Sequence, residues 1–321
     1  MSEVIKEKKD LVLIISGPTA NGKTSLAIDL AKKINGVIIN ADSQQVYKGL
    51  SILSSQPKKE EFKKIPHKLF NFLDYYKKFS VDHWFLLTER EIKKTLKNKQ
   101  TPIVVGGTGM YLKALLEGLD VFPNIPNYVR NKAIKLMASI GSINFYKNLK
   151  KKNADCVCNI NPNDKTRLIR SWELFHVSGK SINELKKTNK KKIMKNLVFF
   201  KVLIKPSKQI TYLNCVKRWD SMLKLGAIKE VEKIIKLEKE NKKKSYLKTI
   251  GFKEIKDFLN DKYDLNIASQ KAITATKQYA KRQYTWYNHQ FSADITFKDE
   301  YKGLNKRIFL KKISDKLLTN Q

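Results

Sequence analysis

Residues 11–34 read LVLIISGPTANGKTSLAIDLAKKI, and this stretch decides the fold class of the chain. The apolar run at 11–15 predicts a short buried strand, which the following Gly-Pro pair ends. Apolar residues at 26, 27, 30, 31 and 34 then follow the helical period. Between the two lies GPTANGKT, residues 17–24, which fits the phosphate-binding pattern G-x-x-x-x-G-K-[ST]. This order of strand, loop and helix is the context that the pattern requires, which argues against a chance match.

Two further strands are predicted upstream of polar turns. The run GVIINADS predicts a strand over 37–39 that leads into Asp42 and Ser43. The run TPIVVGGTG predicts a strand over 103–105 that enters a glycine turn containing Thr108. Strands that alternate with helices predict a parallel sheet with right-handed crossovers. Ligands of such sheets bind beyond the carboxyl ends of the strands, so we expect the phosphate loop and these turns to converge on one crevice.

The alternation of predicted strands and helices ends at about residue 120. The run VFPNIPN carries two prolines and suits a linker, and helical patterns follow without a clear strand. Strand character returns in NLVFFKVLI, 196–204. The predicted fold is therefore α/β, with a parallel-sheet core like that of the phosphate-loop NTPases. We expect residues 1–121 and 196–321 to form this core with its C-terminal helices, and 122–195 to form an α-helical insertion. Residues 300–321 are expected to form a basic tail.

Composition limits the class of protein. The chain has 321 residues and a formal net charge of +35, so a nucleic acid is the leading candidate partner. The excess of Lys over Arg would also arise from an AT-rich genome, so charge alone is weak support.

Three cysteines without a C-x-x-C pair argue against a disulfide framework and a zinc site. No apolar run approaches the roughly 20 residues that a membrane helix needs. The N-terminal residues give no secretory pattern, so we expect a soluble, cytoplasmic protein, acting as a monomer.

The loop motif places two chemically active side chains at the start of a helix. The N-terminus of a helix carries roughly half a positive charge and unpaired N–H groups, both of which attract phosphate. Lys23 adds a full charge, and the Thr24 hydroxyl suits a Mg²⁺ ion that also contacts the phosphates.

Asp42 and Thr108 are candidates whose roles the motifs leave open. Asp42 could be a metal ligand, a general base that faces the substrate, or a turn residue that caps the next segment. The Thr108 hydroxyl could donate to a phosphate oxygen, or the glycines around it could simply serve the turn.

Two basic segments are candidates for nucleic-acid contact. The helix QYAKRQYTWYNHQ mixes basic and aromatic side chains, with Tyr279, Arg282 and Trp286 spaced three to four residues apart. Such a face could hold phosphates and stack on unpaired bases, or it could be protein core. Arg167 and Arg170 lie three residues apart on a predicted helix, which suits phosphate contacts or a salt-bridge pair.

Seven segments together resemble the tRNA dimethylallyltransferases, also called tRNA isopentenyltransferases. They are, in chain order, GPTANGKT, INADSQQVYKGL, IPHKL, VGGTGMYLKALLEGL, NPNDKTRLIRSWELFHVSGK, TIGFKE and QYAKRQYTW. The resemblance covers roughly residues 11–290, and the ordered series is specific although the loop alone is not. It implies transfer of a dimethylallyl group from dimethylallyl diphosphate, without ATP, to N6 of an adenosine in tRNA. That adenosine, position 37, follows the anticodon in tRNAs that read codons beginning with U.

The resemblance also implies roles for individual residues. Asp42 would be the base that accepts the N6 proton, with Thr108 and Lys23 beside the reacting groups. The diphosphate would bind to Gly17, Pro18, Thr19, Ala20, Asn21, Gly22, Lys23, Thr24 and Arg218, with Mg²⁺ on Thr24. The tRNA anticodon stem-loop would contact Asp42, Ser43, Gln44, Gln45, Thr108, Arg130, Thr166, Arg167, Arg170, Thr249, Gly251, Phe252, Lys253, Lys281, Arg282, Gln283 and Trp286.

Four positions depart from the family pattern, and one of them is Lys68, which stands in place of a second histidine after His67. Asn21 stands in place of a small serine, and Gln56 in place of a lysine. Asn214 stands where an arginine is expected, so Arg218 or Lys217 would have to take its part if that arginine holds the diphosphate.

Two other hypotheses compete with prenyl transfer. A small-molecule kinase would place ATP on the loop, but it would not need the arginine and aromatic series beyond residue 160. A non-catalytic RNA-binding protein would not need Lys23, Thr24 and Asp42 together.

Overall fold

The structure, a computed structural model, describes residues 10–188 and 191–318. The chain forms two compact units, one of Met1–Leu116 with Met194–Gln321 and one of Glu117–Ile193. The predicted insertion, 122–195, falls almost wholly within the second unit. What the sequence suggests for residues 1–9 and for the last three residues lies outside the described residues.

The first part of the chain alternates strands and helices as the sequence predicts. In chain order its elements are β1 (Asp10–Ser16), α1 (Lys23–Lys33), β2 (Gly36–Asn40), α2 (Lys59–Lys64), β3 (His67–Lys68), α3 (Val81–Lys97), β4 (Thr101–Gly106) and α4 (Gly109–Glu117). Gly22 begins α1 with φ 82°, a left-handed conformation that glycine adopts without steric cost. The loop can therefore turn sharply into the helix.

The second unit is mainly helical. Its elements are β5 (Leu119–Asp120), α5 (Asn127–Lys152), a 3₁₀ turn at Ala154–Val157, α6 (Lys165–Ser178), α7 (Ile182–Thr188) and β6 (Lys191–Lys192). Gly141 interrupts α5 with φ 75° and ψ 166°, so this helix has two segments. Phe145, Leu168 and Trp172 belong to a core of its own. The sequence did not predict the short antiparallel pair of β5 with β6, whose strands have two residues each.

The chain then returns to the sheet and adds helices. The remaining elements are β7 (Leu197–Ile204), α8 (Lys208–Lys224), α9 (Ala227–Glu240), α10 (Phe252–Leu259), α11 (Leu265–Gln290), β8 (Ile295–Phe297) and α12 (Asn305–Leu318). The sequence does not decide the order of the basic tail over 300–321, and the structure places most of it in α12. Phe309 and Ile313 of α12 are buried in the same core cluster as residues of α1, because apolar residues of α12 recur at helical spacing between its lysines.

The sheet has six strands in the order β3-β2-β4-β1-β7-β8, and every neighbouring pair is parallel. The predicted parallel sheet flanked by helices is thus confirmed. Residues Val12–Ile15 of β1 are fully buried, as a central strand with helices on both faces requires. Strands β2, β4 and β1 are adjacent, so their carboxyl ends, with the turns that follow them, lie side by side. Among the described residues, no helix combines the length and apolar character that crossing a membrane requires.

Candidate active site

The turns after β2 and β4 and the loop after β1 meet at one crevice, as the sequence predicts. The Thr108 N–H donates to the Ala41 carbonyl at 3.3 Å, and the Ser43 N–H donates to the Thr108 hydroxyl oxygen at 3.1 Å. Thr108 therefore joins the end of β4 to the end of β2 and orients the turn that carries Asp42.

The phosphate loop lines a cavity of about 120 Å³ at this crevice. Its lining residues are Thr19, Ala20, Asn21, Gly22, Lys23, Thr24, Ser25, Ile38, Asp42, Gln45, Ser55, Phe70, Val105, Gly106, Arg218 and Gln283. Gly17 and Pro18 are not among them. The Gly17 N–H donates to the Tyr287 hydroxyl at 2.8 Å, and proline has no N–H. This placement does not fit the predicted contact of Gly17 and Pro18 with a diphosphate. The first N–H groups of α1, which have no partner within the helix, are the better donors.

Two cations and one carboxylate line this cavity. The Lys23 ammonium donates to the Pro18 carbonyl at 2.8 Å, and the Arg218 guanidinium donates to the Thr19 hydroxyl at 2.9 Å. Burial lowers the pKa of Lys23 to about 8, although the Asp42 carboxylate acts in the opposite direction. Burial likewise lowers the pKa of Arg218 below its ordinary value. An anion that entered would recover the electrostatic energy that this desolvation costs.

Asp42 is fixed by its own turn. Its N–H donates to the Asn40 side-chain oxygen at 2.8 Å, and its carboxylate accepts from the Gln44 N–H at 2.9 Å. The interpretation of Asp42 as a turn residue is therefore correct as far as it goes. Asp42 also lines the phosphate-loop cavity and a second cavity beside it, so the turn presents a carboxylate to both.

The second cavity has a volume of about 80 Å³, and its lining includes the apolar side chains of Leu53, Trp219 and Met222. It shares Thr19, Asp42 and Arg218 with the first cavity, and we call it the apolar cavity. The other lining residues are Gln44, Leu53, Ser54, Cys215, Trp219, Met222, Thr249, Ile250, Thr276 and Tyr279. The resemblance implies tRNA contacts for Gln44 and Thr249, but no motif predicts that these residues line a cavity together with residues of α8 and α11.

Gln283 of α11 ties the phosphate loop to the turn after β4. Its side-chain oxygen accepts from the Thr19 N–H at 2.9 Å, and its side-chain nitrogen donates to the Gly107 carbonyl at 2.8 Å. The side chain is 6% exposed. This placement does not fit the predicted direct contact of Gln283 with tRNA, because both ends of the amide are engaged inside the protein.

Tyr279 of α11 lies at the site, whereas the sequence suggests for it only a face that contacts nucleic acid or belongs to the core. It lines the apolar cavity with Asp42, and burial and the Asp42 carboxylate raise the pKa of its phenol, which also hydrogen-bonds to Thr108. The phenol thus stays protonated at neutral pH. Tyr279, Gln283 and Tyr287 follow the i, i+4 spacing of one helical face, and this spacing could have identified them.

Comparison with known proteins identifies the family of this chain. The family model described as IPP transferase matches residues 45–290, and a second model, isopentenyl transferase, matches residues 10–71. The chain belongs to the IPP transferase family.

Relatives and solved structures agree with this assignment. A tRNA dimethylallyltransferase of Pelagibacter ubique is 41% identical over 281 residues, which cover 87% of this chain and 89% of the relative. A crystal structure of a tRNA isopentenylpyrophosphate transferase from Staphylococcus epidermidis has a TM-score of 0.68 at 28% identity, covering 97% of this chain and all of the other. A eukaryotic dimethylallyltransferase acting on tRNA has a TM-score of 0.78 at 25% identity, with 97% of this chain and 80% of the other covered.

The departures from the IPP transferase pattern have structural explanations. The Asn21 side chain is 1% exposed and exchanges hydrogen bonds with the Thr211 hydroxyl at 3.0 and 3.1 Å. It therefore fixes the loop on α8, and only the backbone of Asn21 is free to meet a diphosphate. The Asn214 amide donates to the Ala20 carbonyl at 3.1 Å and to Glu300. The Gln56 amide donates to the carbonyls of Gln45 and Tyr47 and fixes that turn.

Part of the predicted tRNA surface is buried in the first unit. Gly251 and Phe252 are packed in a core cluster or against it, and a side chain at Gly251 would come within 2.6 Å of the Trp219 ring. Thr249 is 6% exposed and donates to the Gln44 side-chain oxygen at 3.1 Å. Direct tRNA contacts of Thr249, Gly251 and Phe252 do not fit this placement, and Lys253 is the exposed residue of the segment.

Other predicted tRNA residues lie at or near the surface. Lys281 and Arg282 are exposed on α11, whereas Trp286 is half-buried with its ring against Gly109. The helical face that carries Tyr279, Arg282 and Trp286 is thus partly buried in the core and partly exposed to solvent. Ser43 and Gln44 are half-buried, and the Gln45 amide donates to the carbonyls of Ser54 and Ser55.

The predicted arginines of the second unit all have acidic partners. Arg167 pairs with Asp164 at 3.3 Å, while Arg130 and Arg170 both pair with Glu173. These arginines and Thr166 have solvent-accessible side chains, and their contact with tRNA stays a prediction.

The crevice fits a magnesium ion that arrives with a phosphorylated ligand. The Thr24 hydroxyl lines the phosphate-loop cavity and is a hard oxygen ligand of the kind that Mg²⁺ prefers. No group of three or more His, Cys, Asp or Glu in the described part of the chain could hold a metal alone. Mg²⁺ keeps several waters and takes further ligands from substrate phosphates, so Thr24 would be its protein ligand when a phosphorylated ligand is bound.

Proposed function

We propose that this chain is a tRNA dimethylallyltransferase that acts on N6 of adenosine 37 in tRNAs reading codons that begin with U. The observation that carries the proposal is the junction of the two cavities. A cationic phosphate-loop cavity and an apolar cavity meet at Thr19, Asp42 and Arg218. This pairing suits an allylic diphosphate, which has a highly charged head and a small apolar tail. The names of the relatives, in which the same activity recurs, support the choice of acceptor.

The diphosphate head would occupy the phosphate-loop cavity. The first N–H groups of α1, the Lys23 ammonium and the Arg218 guanidinium would receive its negative charge. Thr24 would hold Mg²⁺, which, when bound, would supply further stabilisation of the charge that develops on the leaving diphosphate. Both cations are partly shielded from water before the ligand arrives, so their interaction with it is stronger than it would be in bulk water.

The reaction would proceed beside Asp42. The N6 nitrogen of adenine forms a bond to the allylic carbon C1 while the bond from C1 to the diphosphate oxygen breaks. The Asp42 carboxylate accepts the proton that N6 loses, and diphosphate leaves with the bonding electron pair. A positioned base of this kind typically contributes about 10²–10⁴-fold to the rate.

Thr108 and Tyr279 would hold Asp42 in the position from which it faces the adenine. Thr108 fixes the Asp42 turn through the Ser43 N–H, and Tyr279 hydrogen-bonds to Thr108 from α11. Reaching this site requires the adenine to leave its stack, which an anticodon loop permits at lower cost than a duplex.

A transfer assay without ATP tests the proposal. The protein is incubated with labelled dimethylallyl diphosphate, Mg²⁺ and unmodified tRNA, and label is measured in the tRNA. We expect label on N6 of adenosine 37. Absence of transfer together with turnover of ATP on a nucleoside would contradict the proposal and favour a kinase.

A further inference from the structure

The second unit contains a fully buried carboxylate that faces two arginines. Glu173 on α6 is 0% exposed. Its Oε2 lies 3.3 Å from Nη1 of Arg170, one turn earlier on the same helix, and its Oε1 lies 3.5 Å from Nε of Arg130 on α5. Oε1 accepts no hydrogen bond with good geometry from any described residue, so its link to Arg130 is a charge contact.

This arrangement holds the two guanidinium groups without neutralising them. One buried negative charge faces two positive charges, which leaves a surplus of one positive charge. The arginine side chains remain 51% and 41% exposed, so donor groups of each fork still face solvent. The Phe122 ring lies 5.7 Å from the Arg170 guanidinium and further restricts it. Exposed arginines normally sample many rotamers, and ordering them beforehand lowers the entropy lost on binding.

We propose that Glu173 is a positioning residue that presents Arg130 and Arg170 together to one backbone phosphate of tRNA. The surplus positive charge matches the single negative charge of a phosphodiester. Two preordered forks suit its oxygens better than two mobile lysines would. The inference rests on the proposed function, because it takes tRNA as the polyanion.

Glu173→Gln distinguishes positioning from electrostatic attraction alone, because the two predict opposite changes in the affinity for tRNA. The substitution keeps the shape of the side chain but removes a negative charge, so electrostatic attraction alone predicts tighter tRNA binding. Loss of positioning predicts weaker binding. We expect the tRNA Kd to rise about fivefold and the salt slope to fall by up to about 0.9 for the lost phosphate contact. The kcat and the affinity for dimethylallyl diphosphate should stay unchanged.

Glu184→Gln is the matched control. Glu184 lies in the same unit, is exposed, and accepts from the Ser181 N–H at 2.6 Å, which glutamine can also do. It changes the net charge by the same amount without touching the arginine pair, so its tRNA Kd should stay equal to or slightly below that of the wild type.

A second variant covers the case in which Glu173→Gln does not fold. Arg170→Lys leaves the buried pair charged but removes the planar fork, and it should also raise the tRNA Kd severalfold. If Glu173→Gln folds and binds tRNA as tightly as Glu184→Gln, the inference is overturned. The same holds if Arg170→Lys binds like the wild type. Label transfer by the wild type in those cases would leave the proposed function intact, whereas a wild type that binds no tRNA would contradict both.

Discussion

The crevice of the first unit and the arginine pair of the second both gather positive charge, but they hold it differently. In the crevice, the Lys23 ammonium donates a hydrogen bond to the Pro18 carbonyl, and burial lowers the pKa of Lys23 to about 8. In the second unit, the charges of Arg130 and Arg170 are held by a buried carboxylate while their side chains stay about half exposed.

This difference indicates that the two groups of charges have different functions. Desolvated charges fixed to backbone strengthen interactions with a small anion and suit the stabilisation of a leaving group. Solvated arginines suit a large polyanion, whose binding is weakened by salt. Variants of the crevice should therefore change rates strongly, and variants of the basic surface should change tRNA affinity modestly and with a salt dependence.

Asp42→Asn should have the largest effect. Asparagine can still accept from the Gln44 N–H, so the turn should survive, but the amide cannot accept the N6 proton. We expect transfer to fall by about 10²–10⁴-fold while dimethylallyl diphosphate still binds. Single-turnover transfer and calorimetric titration measure the two quantities, and a rate near that of the wild type would refute the assignment of the base.

Gln283→Ala should have the next largest effect, because it removes the two hydrogen bonds by which the Gln283 side chain links the phosphate loop to the turn after β4. The Thr19 N–H and the Gly107 carbonyl would lose their partners. We expect kcat/KM to fall by about 10–100-fold, since a misplacement of about 1 Å can cost that much, with the salt slope of tRNA binding unchanged. Gln278→Ala, an exposed position on the same helix, is the control. Normal turnover with a weaker tRNA affinity would instead make Gln283 a tRNA contact.

The affinity for dimethylallyl diphosphate should decrease as pH rises through the pKa of Lys23, which is about 8. A bound anion favours the protonated amine, so binding above this pH requires proton uptake, and affinity falls by at most about tenfold per pH unit. Lys23→Arg should remove this dependence between pH 7 and 9.5, because the guanidinium stays charged. Parallel pH profiles for the two proteins would exclude Lys23 as its source.

Arg282→Ala should have the smallest effect. Its guanidinium is exposed on α11, near the Tyr279 ring at 5.8 Å. We expect a tRNA Kd raised severalfold and a salt slope lowered by up to about 0.9, with single-turnover chemistry unchanged at saturating tRNA. Arg307→Ala on α12 removes the same charge elsewhere, and equal effects of the two variants would indicate only a general loss of charge.

The sequence predicts the phosphate-loop side of the site well because backbone geometry defines it. The Gly22-Lys23-Thr24 sequence must follow a strand and begin a helix, and parallel strands carry Asp42 and Thr108 to the same edge. Local periodicity likewise identifies the strands and long helices of the core.

Sequence reasoning fails where tertiary packing decides. The family resemblance implies tRNA contacts for Gln283, Gly251 and Phe252, but the close approach of α10 and α11 to the core buries them. The apolar cavity depends on the packing of α8 against several turns, and the Arg130–Glu173 pair joins two helices. No spacing in the sequence records such contacts, since they depend on how separate elements meet.

A competition titration tests the central claim most directly, namely that the loop holds the leaving group of a prenyl donor and not ATP. Binding of dimethylallyl diphosphate is measured by calorimetry with Mg²⁺, alone and in the presence of millimolar ATP, for the wild type and Lys23→Ala. We predict saturable binding that ATP displaces only weakly and that Lys23→Ala weakens at least tenfold. Tight ATP binding that excludes dimethylallyl diphosphate, or diphosphate binding that does not depend on Lys23, would contradict the account.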